Sequence, residues 1–153
     1  MKRMVLFLTV ISMMIGVSGC SKYENEMLTD NKADFTAVAE FARSYYEEHR
    51  IDDSDHIAID FYDGTLRDLT NDTIIEDVSD DIYESVGIIS SEFDFLWVND
   101  TYVIFWEDET KYYGLLWSES TQKAISSVKE WYGEMDYHKL EANWYEIGAL
   151  DSI

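Results

Sequence analysis

Residues 93–117 hold the densest run of aromatic and aliphatic side chains in the chain, and they constrain its fold most strongly. Three short apolar runs follow one another there: FDFLWV, TYVIFW and YYGLLW. Polar residues at Asn99-Asp100 and at residues 107–111 separate the runs. Apolar runs of this length between turn-forming residues are typical of buried β-strands. We therefore predict an antiparallel meander centred on this segment.

A two-residue turn at Asn99-Asp100 would set the register of the first two strands, with Trp97 opposite Tyr102. Six large side chains would then share one face: Phe93, Phe95, Trp97, Tyr102, Ile104 and Trp106. The opposite face would carry Leu96, Val98, Val103 and Phe105. We expect helices to cover one of these apolar faces. The other face is either covered as well or forms an exposed aromatic surface.

Helices are predicted before and after the meander in the sequence. At residues 33–50, apolar side chains recur every three or four positions: Phe35, Val38, Phe41, Ala42, Tyr45, Tyr46 and His49. A second helix is predicted at residues 73–86, where Thr73 and Glu76 form a capping-box pattern and Gly87 follows. Similar periodicity predicts a third helix at residues 120–135, and residues 139–147 are expected to form a last strand.

A hairpin is predicted between the first two helices. Ile57, Ile59 and Phe61 alternate with less apolar residues, as in a half-buried strand. Asp63-Gly64 is a strong two-residue turn signal, and it would place Arg67 opposite Asp60. The predicted fold class is therefore α+β: an antiparallel β-meander sheet packed against two or three helices, forming a single acidic domain at residues 33–153.

The first twenty residues have the features of a secretory signal. Lys2 and Arg3 precede an apolar run at residues 4–17, and small residues follow. The run is too short to span a bilayer, which needs about 20 residues. Residues 21–32 lack apolar periodicity, which predicts a flexible tether about 20 Å long on average.

The sequence Val17-Ser18-Gly19-Cys20 resembles the lipobox of bacterial lipoproteins, an aliphatic residue and two small residues before a cysteine. The resemblance implies that residues 1–19 are a signal peptide removed before Cys20. It also implies that the Cys20 thiol carries a diacylglycerol and that a further acyl chain such as palmitate is added. Residues 20–32 would then be the lipidated cysteine and tether, holding the protein on the extracytoplasmic face of the cell membrane.

The charge of the chain is strongly negative. It has 11 Lys and Arg against 32 Asp and Glu, a formal charge of −21, which becomes −23 once the signal peptide removes Lys2 and Arg3. Binding to a phosphate backbone needs clustered Lys and Arg, so nucleic acid is not an expected partner. A negative field of this size favours basic proteins or cations as partners.

Residues that carry enzyme chemistry lack the necessary context. His49, His56 and His138 show no metal-ligand spacing, no serine lies in a G-x-S-x-G motif, and the glycines form no phosphate loop. Cys20 is the only cysteine, and its lipid would consume the thiol. We therefore predict a protein that is not an enzyme and has no cofactor or metal site.

Two functional hypotheses follow. The first is a lipid-anchored binding or accessory module that recognises a basic protein or another cell-envelope component. Its contact patch would comprise partly exposed aromatic residues edged by residues 107–109, because aromatic side chains anchor many interfaces. The candidates are Trp97, Tyr102, Trp106, Tyr112 and Trp117. The alternative is a calcium-responsive surface protein that uses the acidic residues at 52–55 or 107–109.

Overall fold

The structure is a computed structural model that describes residues 22–51, 56–61, 64–108 and 113–149. The elements in chain order are α1 (Lys22–His49), β1 (Ile57–Asp60), β2 (Arg67–Asp68), β3 (Thr73–Ile74), α2 (Asp80–Ile89), β4 (Phe95–Val98), β5 (Val103–Trp106), β6 (Tyr113–Trp117), α3 (Thr121–Tyr132), β7 (Met135–Glu141) and β8 (Trp144–Ala149).

The strands form one antiparallel sheet in the order β3-β2-β1-β4-β5-β6-β8-β7. β4, β5 and β6 are consecutive neighbours, which confirms the predicted meander. After β6 the chain passes through α3 to the edge strand β7 and returns as β8 beside β6. The α+β class, with an antiparallel sheet packed against helices, is therefore confirmed.

α1 and α2 cover one face of the sheet. Phe35 of α1 lies at the centre of this layer, with its ring centroid 5.1 Å from Phe105, 5.6 Å from Phe93 and 5.8 Å from Trp144. All three contacts are edge-to-face, the arrangement that aromatic pairs favour over a flat sandwich. Because Phe35 is fully buried, its loss would remove contacts with three separate parts of the chain.

α3 covers the opposite face. Ala124 and Val128 of this helix are fully buried, in one cluster with Ile104, Leu116 and Tyr145 of three central strands. Both faces of the central sheet are thus covered. Of the two outcomes left open by the sequence, the structure shows the covered one over β5, β6 and β8.

The register of the β4–β5 hairpin differs from the prediction. Trp97 lies opposite Ile104 rather than Tyr102, because Val98 pairs with Val103 and the turn is centred one residue later. Asn99 Oδ1 accepts hydrogen bonds from the backbone N–H groups of Thr101 (2.8 Å) and Tyr102 (3.0 Å), which fixes this turn.

The two-residue change in pairing is even, so it leaves most side chains on their predicted faces. Phe93 is the exception, since it precedes β4 and packs on the α1 side. In the other hairpin, Asp60 lies opposite Arg67, as Asp63-Gly64 predicted.

The second helix begins later than predicted. Thr73 and Ile74 form β3, and α2 starts at Asp80, where the Ser79 side chain accepts a hydrogen bond from Ile82 N. Thr73 is drawn into the sheet because it pairs with Asp68 of β2, a tertiary contact that overrides the local capping pattern. Gly87 lies inside α2 rather than at its end.

The third helix is shorter than predicted, and the end of the chain contains two strands rather than one. α3 ends at Tyr132 because Gly133 adopts a positive φ of 79° and closes it. Met135, expected in the helix, begins β7. β7 and β8 then pair as a hairpin.

The tether prediction is wrong for the described part of residues 20–32, which is helical from Lys22 onward. The Leu28 side chain of this helix is only 2% exposed and lies in the core. Lys32 Nζ forms an ion pair with Glu141 Oε2 of β7 at 2.8 Å. Asn31 has non-helical dihedrals (φ −123°, ψ 24°), and its Nδ2 donates to Met27 O. α1 is therefore two helical segments joined by a kink. Cys20 and the lipobox lie outside the described residues.

Candidate functional site

Three of the four described candidates for the aromatic patch are buried. Tyr102, Trp106 and Trp117 are 0%, 2% and 6% exposed, so the expected partial exposure is wrong for these three side chains. Tyr102 and Trp106 lie beneath α3, whereas Trp117 packs toward α1, where Arg43 stands 5.5 Å from its ring. Tyr112 lies outside the described residues.

Trp97 is half-buried, and aromatic neighbours surround it. The His56 ring stacks on it at 4.3 Å, and Trp106 meets it edge-on at 6.0 Å. The four described candidates therefore do not form a contiguous exposed surface.

The acidic segments proposed for calcium fall mostly outside the described residues. This holds for residues 52–55 and for Glu109, whereas Glu107 and Asp108 are half-buried. No group of three or more His, Cys, Asp or Glu side chains in the described ranges is arranged to hold a metal ion.

A groove of about 580 Å³ lies between the second half of α1 and the segment that links β3 to α2. Ten residues line it: Phe41, Ser44, Tyr45, Glu48, His49, Thr73, Ile74, Ile75, Glu76 and Asp77. This groove combines aromatic, aliphatic and acidic side chains, and we take it as the candidate functional site.

The α1 wall of the groove is an aromatic ladder, formed by Phe41, Tyr45 and His49. These residues are spaced by four, which places them above one another on the helix. The Tyr45 and His49 rings stack at 4.1 Å with an interplanar angle of 12°, and Phe41 lies 6.4 Å from Tyr45. His49 also donates from Nδ1 to Tyr45 O at 3.0 Å, because a carbonyl can only accept. The ladder is thus held in place by the helix backbone.

Asp68 of β2 holds the Tyr45 hydroxyl in place. The carboxylate is fully buried, and it accepts hydrogen bonds from the Tyr45 hydroxyl at 3.0 Å and from three N–H donors of Thr70 and Asn71. Burial raises the pKa of Tyr45 above its usual value, with Asp68 adding to the rise and a hydrogen bond with Thr73 opposing it. Tyr45 therefore stays protonated and keeps donating to Asp68 at neutral pH.

The opposite wall is formed by the edge of the sheet. Thr73 and Ile75 face α1, since Thr73 hydrogen-bonds with Tyr45 and Ile75 lies in the core under α1. Ile74 between them points to the other face of β3 and is 62% exposed, the largest exposed fraction among the large apolar side chains of the described residues. Glu76 and Asp77 follow it and are exposed, and Glu48 faces them from α1. Among the described residues, no lysine or arginine lines the groove. The groove can therefore offer apolar contact and negative charge to one ligand.

The helical spacing of residues 33–50 predicted that the α1 residues of the groove share one helix face, but it did not predict a groove. The same spacing assigns Phe41, Tyr45 and His49 to the apolar stripe of the first helix, without distinguishing a buried from a groove-lining position. The β3 wall was missed because Thr73 and Glu76 were read as the start of a helix. The exposed residue Ile74 was thereby placed on a helix rather than on a sheet edge.

The comparisons with other proteins add no family. The chain matches no protein-family model, no curated protein and no solved structure. Of the helices in the described part of the chain, none has both the length and the apolar character needed to cross a membrane.

Proposed function

We propose that the chain is a lipid-anchored bacterial lipoprotein on the extracytoplasmic face of the cell membrane. In this proposal it acts as a non-enzymatic binding or accessory module. The groove between α1 and residues 73–77 is its binding site, in place of the aromatic patch expected from the sequence. The proposal includes no catalytic residue, metal or cofactor.

The groove is the observation that carries the binding role. Its volume of about 580 Å³ lies within the range of roughly 300–1,000 Å³ typical of ligand sites. The aromatic ladder and Ile75 provide apolar surface in the groove, while Glu48, Glu76 and Asp77 provide charge. Such a mixture is typical of recognition sites, because apolar contacts supply affinity and a few polar groups supply orientation.

The lipobox supports the anchor. Val17-Ser18-Gly19-Cys20 follows a short apolar run, and Cys20 is the only cysteine of the chain. A single acyl chain gives marginal membrane binding at about 0.8 kcal/mol per buried CH₂ group, whereas two chains hold stably. A diacylglycerol on Cys20 would therefore be sufficient to retain the protein.

Detergent phase partition and intact mass test the anchor. Wild-type protein should enter the detergent phase and carry the added mass of acyl chains, whereas Cys20→Ser should stay aqueous. Ser18→Ala keeps a small residue in the lipobox and should behave like wild type. Wild-type protein that is aqueous and has no acyl mass would contradict the anchor.

Capture from a detergent extract of the cell envelope tests the binding role. The full lipidated chain should retain a protein that is lost when Glu48, Glu76 and Asp77 are changed together to Gln, Gln and Asn. A matched variant with Asp81, Glu84 and Glu130 neutralised removes the same number of exposed charges elsewhere and should retain it. Equal capture by both variants would exclude the groove.

A further inference from the structure

We propose that the groove binds an extended, lysine- or arginine-containing segment of a partner protein, which adds to the sheet as a strand beside β3. This inference rests on the proposed function only in taking the groove as the binding site, and it does not depend on the lipid anchor. Three observations carry it: the direction of the backbone groups of β3, the apolar surface beside that edge, and the charge of the rim.

The backbone of β3 presents hydrogen-bonding groups to the open edge of the described sheet. β3 is the terminal strand in the described sheet, and its neighbour on the other side is β2. Ile75 N donates inward to Leu66 O at 2.9 Å, and Ile74 lies opposite Arg67. Because strand hydrogen bonds alternate in direction from one residue to the next, the N–H and C=O of Ile74 point away from β2. They point along the edge at which a further strand would pair.

A segment paired with Ile74 would have the groove beside it, on the face of the sheet that α1 covers. An added strand would pair with β3 in the plane of the sheet, and alternate side chains of that strand would face the groove that the aromatic ladder of α1 lines. Extended peptides bind sheet edges in this way, with main-chain hydrogen bonds giving affinity and neighbouring side chains giving specificity. Covering Ile74 would also remove an exposed apolar side chain from water.

The rim selects the charge of the segment. Glu48, Glu76 and Asp77 stand on both sides of the groove, with no lysine or arginine among its described lining residues. Complementary charge of this kind speeds association and sets the register of a bound chain. An arginine or lysine can also lie over the Phe41 or Tyr45 ring as a cation–π contact. A basic extended segment can therefore hydrogen-bond to the edge of β3, contact the aromatic ladder and pair with the acidic rim at the same time.

Fluorescence anisotropy with synthetic peptides tests the proposal on the purified full-length chain. The probe is a labelled peptide that alternates valine with lysine or arginine. Its controls are a valine–glutamate peptide of equal length and a basic peptide N-methylated on alternate residues. The basic peptide should bind saturably and more than tenfold more tightly than both controls, because N-methylation removes the main-chain donors needed for strand pairing.

Two variants at Ile74 test the edge. Ile74→Pro removes the outward N–H without touching the hydrogen bonds to β2, as edge strands tolerate proline when the N–H faces outward. Ile74→Lys keeps the backbone N–H and adds a positive charge that repels the basic peptide. Lysine on an edge strand discourages pairing with a further strand. Each should weaken the basic peptide more than tenfold with little change in melting temperature. If the proline variant fails to fold, the lysine variant carries the test.

The outcomes separate this inference from the proposed function. Equal affinity for the N-methylated and unmodified peptides would overturn strand addition and leave a site for polycations. A basic peptide that does not bind, while capture of an envelope protein still depends on Glu48, Glu76 and Asp77, would overturn the inference and leave the binding module standing. Unchanged binding by both Ile74 variants would place the segment elsewhere.

Discussion

At the scale of single residues, the buried carboxylate of Asp68 organises the turn beneath the groove. Its oxygens accept hydrogen bonds from Tyr45 of α1 and from Thr70 and Asn71, two and three residues further along the chain. Thr70 in turn accepts a hydrogen bond from Ala58 N of β1. One side chain thus links a helix, a turn and a neighbouring strand.

Replacing Asp68 by asparagine should therefore be costly. The amide NH₂ of Asp68→Asn would face donors that now share a charged acceptor, and we expect a loss of about 1.5–3 kcal/mol in the free energy of unfolding. Asp72→Asn makes the same chemical change in the same turn, where the ion pair with Arg67 is exposed, and should cost less than about 1 kcal/mol. Urea denaturation measures both, and equal losses would contradict the assigned role of Asp68.

Tyr137 gives the protein a sensitivity to alkali. Burial raises the pKa of this half-buried phenol to about 12, and Glu134 adds to the rise. In the unfolded chain the pKa is about 10. The folded state therefore holds the proton more tightly, so the stabilisation is complete below about pH 10 and is lost as the pH rises toward about 12.

The melting temperature should accordingly fall between about pH 10 and about 12, and it should fall less in Tyr137→Phe. Part of the fall will remain, because burial also raises the pKa values of Tyr45 and Tyr46. Thermal melts across this range measure the difference. An identical alkaline loss in both proteins would show that Tyr137 does not contribute.

At the scale of elements, two glycines should respond in opposite ways to a methyl group. A Cβ at Gly114 of β6 would collide with the backbone oxygen of Phe105, whereas one at Gly87 of α2 would meet nothing within 4 Å. Gly114→Ala should destabilise by roughly 1–3 kcal/mol or more, as overpacking does. Gly87→Ala should stabilise by about 0.5–1 kcal/mol through better helix propensity. Chemical denaturation tests the pair, and a stable Gly114→Ala protein would contradict the close approach of β5 and β6.

The sequence predicted the strands best where local signals and the hydrophobic pattern agree. Asp63-Gly64 predicted the pairing of Asp60 with Arg67, and alternation in β4 and β5 predicted which side chains share a face. The register of that second hairpin was missed because Asn99 acts through its side chain, outside the two central turn positions. A turn of that type is visible only when the asparagine oxygen is counted as an acceptor.

The helices were harder to delimit, because tertiary contacts decide their ends. Nothing periodic in residues 21–32 predicts a helix, yet Leu28 is buried and Lys32 pairs with Glu141 far along the chain. Thr73 has a good capping pattern but pairs with Asp68 instead. The same reason explains why the groove was only partly predictable. The residues of its α1 wall share a helix face that the spacing predicts, whereas its β3 wall depends on pairing between distant parts of the chain.

At the scale of the whole molecule, the aromatic content serves the interior on both sides of the sheet. The sequence left open whether the second aromatic face is covered or exposed, and the patch was proposed because the chain has more tryptophan and tyrosine than one core layer requires. The structure has two apolar layers, one beneath α1 and α2 and one beneath α3. Helix number can be predicted from periodicity, but the face that each helix covers follows from the path of the chain after β6.

Net charge should make the stability depend on salt. With a formal charge of −21, like charges repel in the folded state, and salt screens that repulsion. Raising sodium chloride from low salt to roughly 0.15 M should therefore raise the melting temperature near neutral pH by about 2–4 °C, equivalent to about 1 kcal/mol. Calcium chloride at the same ionic strength should add little. A saturable calcium shift of several degrees beyond this would favour the calcium-responsive alternative.

The length of α1 sets a stand-off distance for the groove. Lys22 follows the predicted lipid attachment at Cys20 by two residues, and Tyr45 lies near the other end of the helix. At 1.5 Å per residue, the two positions are separated by at most about 35 Å. That is several times the roughly 8 Å over which salt screens the charge of a membrane surface. With α1 perpendicular to the membrane, a basic segment would meet the acids of the groove beyond the distance at which headgroup charge acts. A change of angle at the Asn31 kink would change the distance between the groove and the membrane.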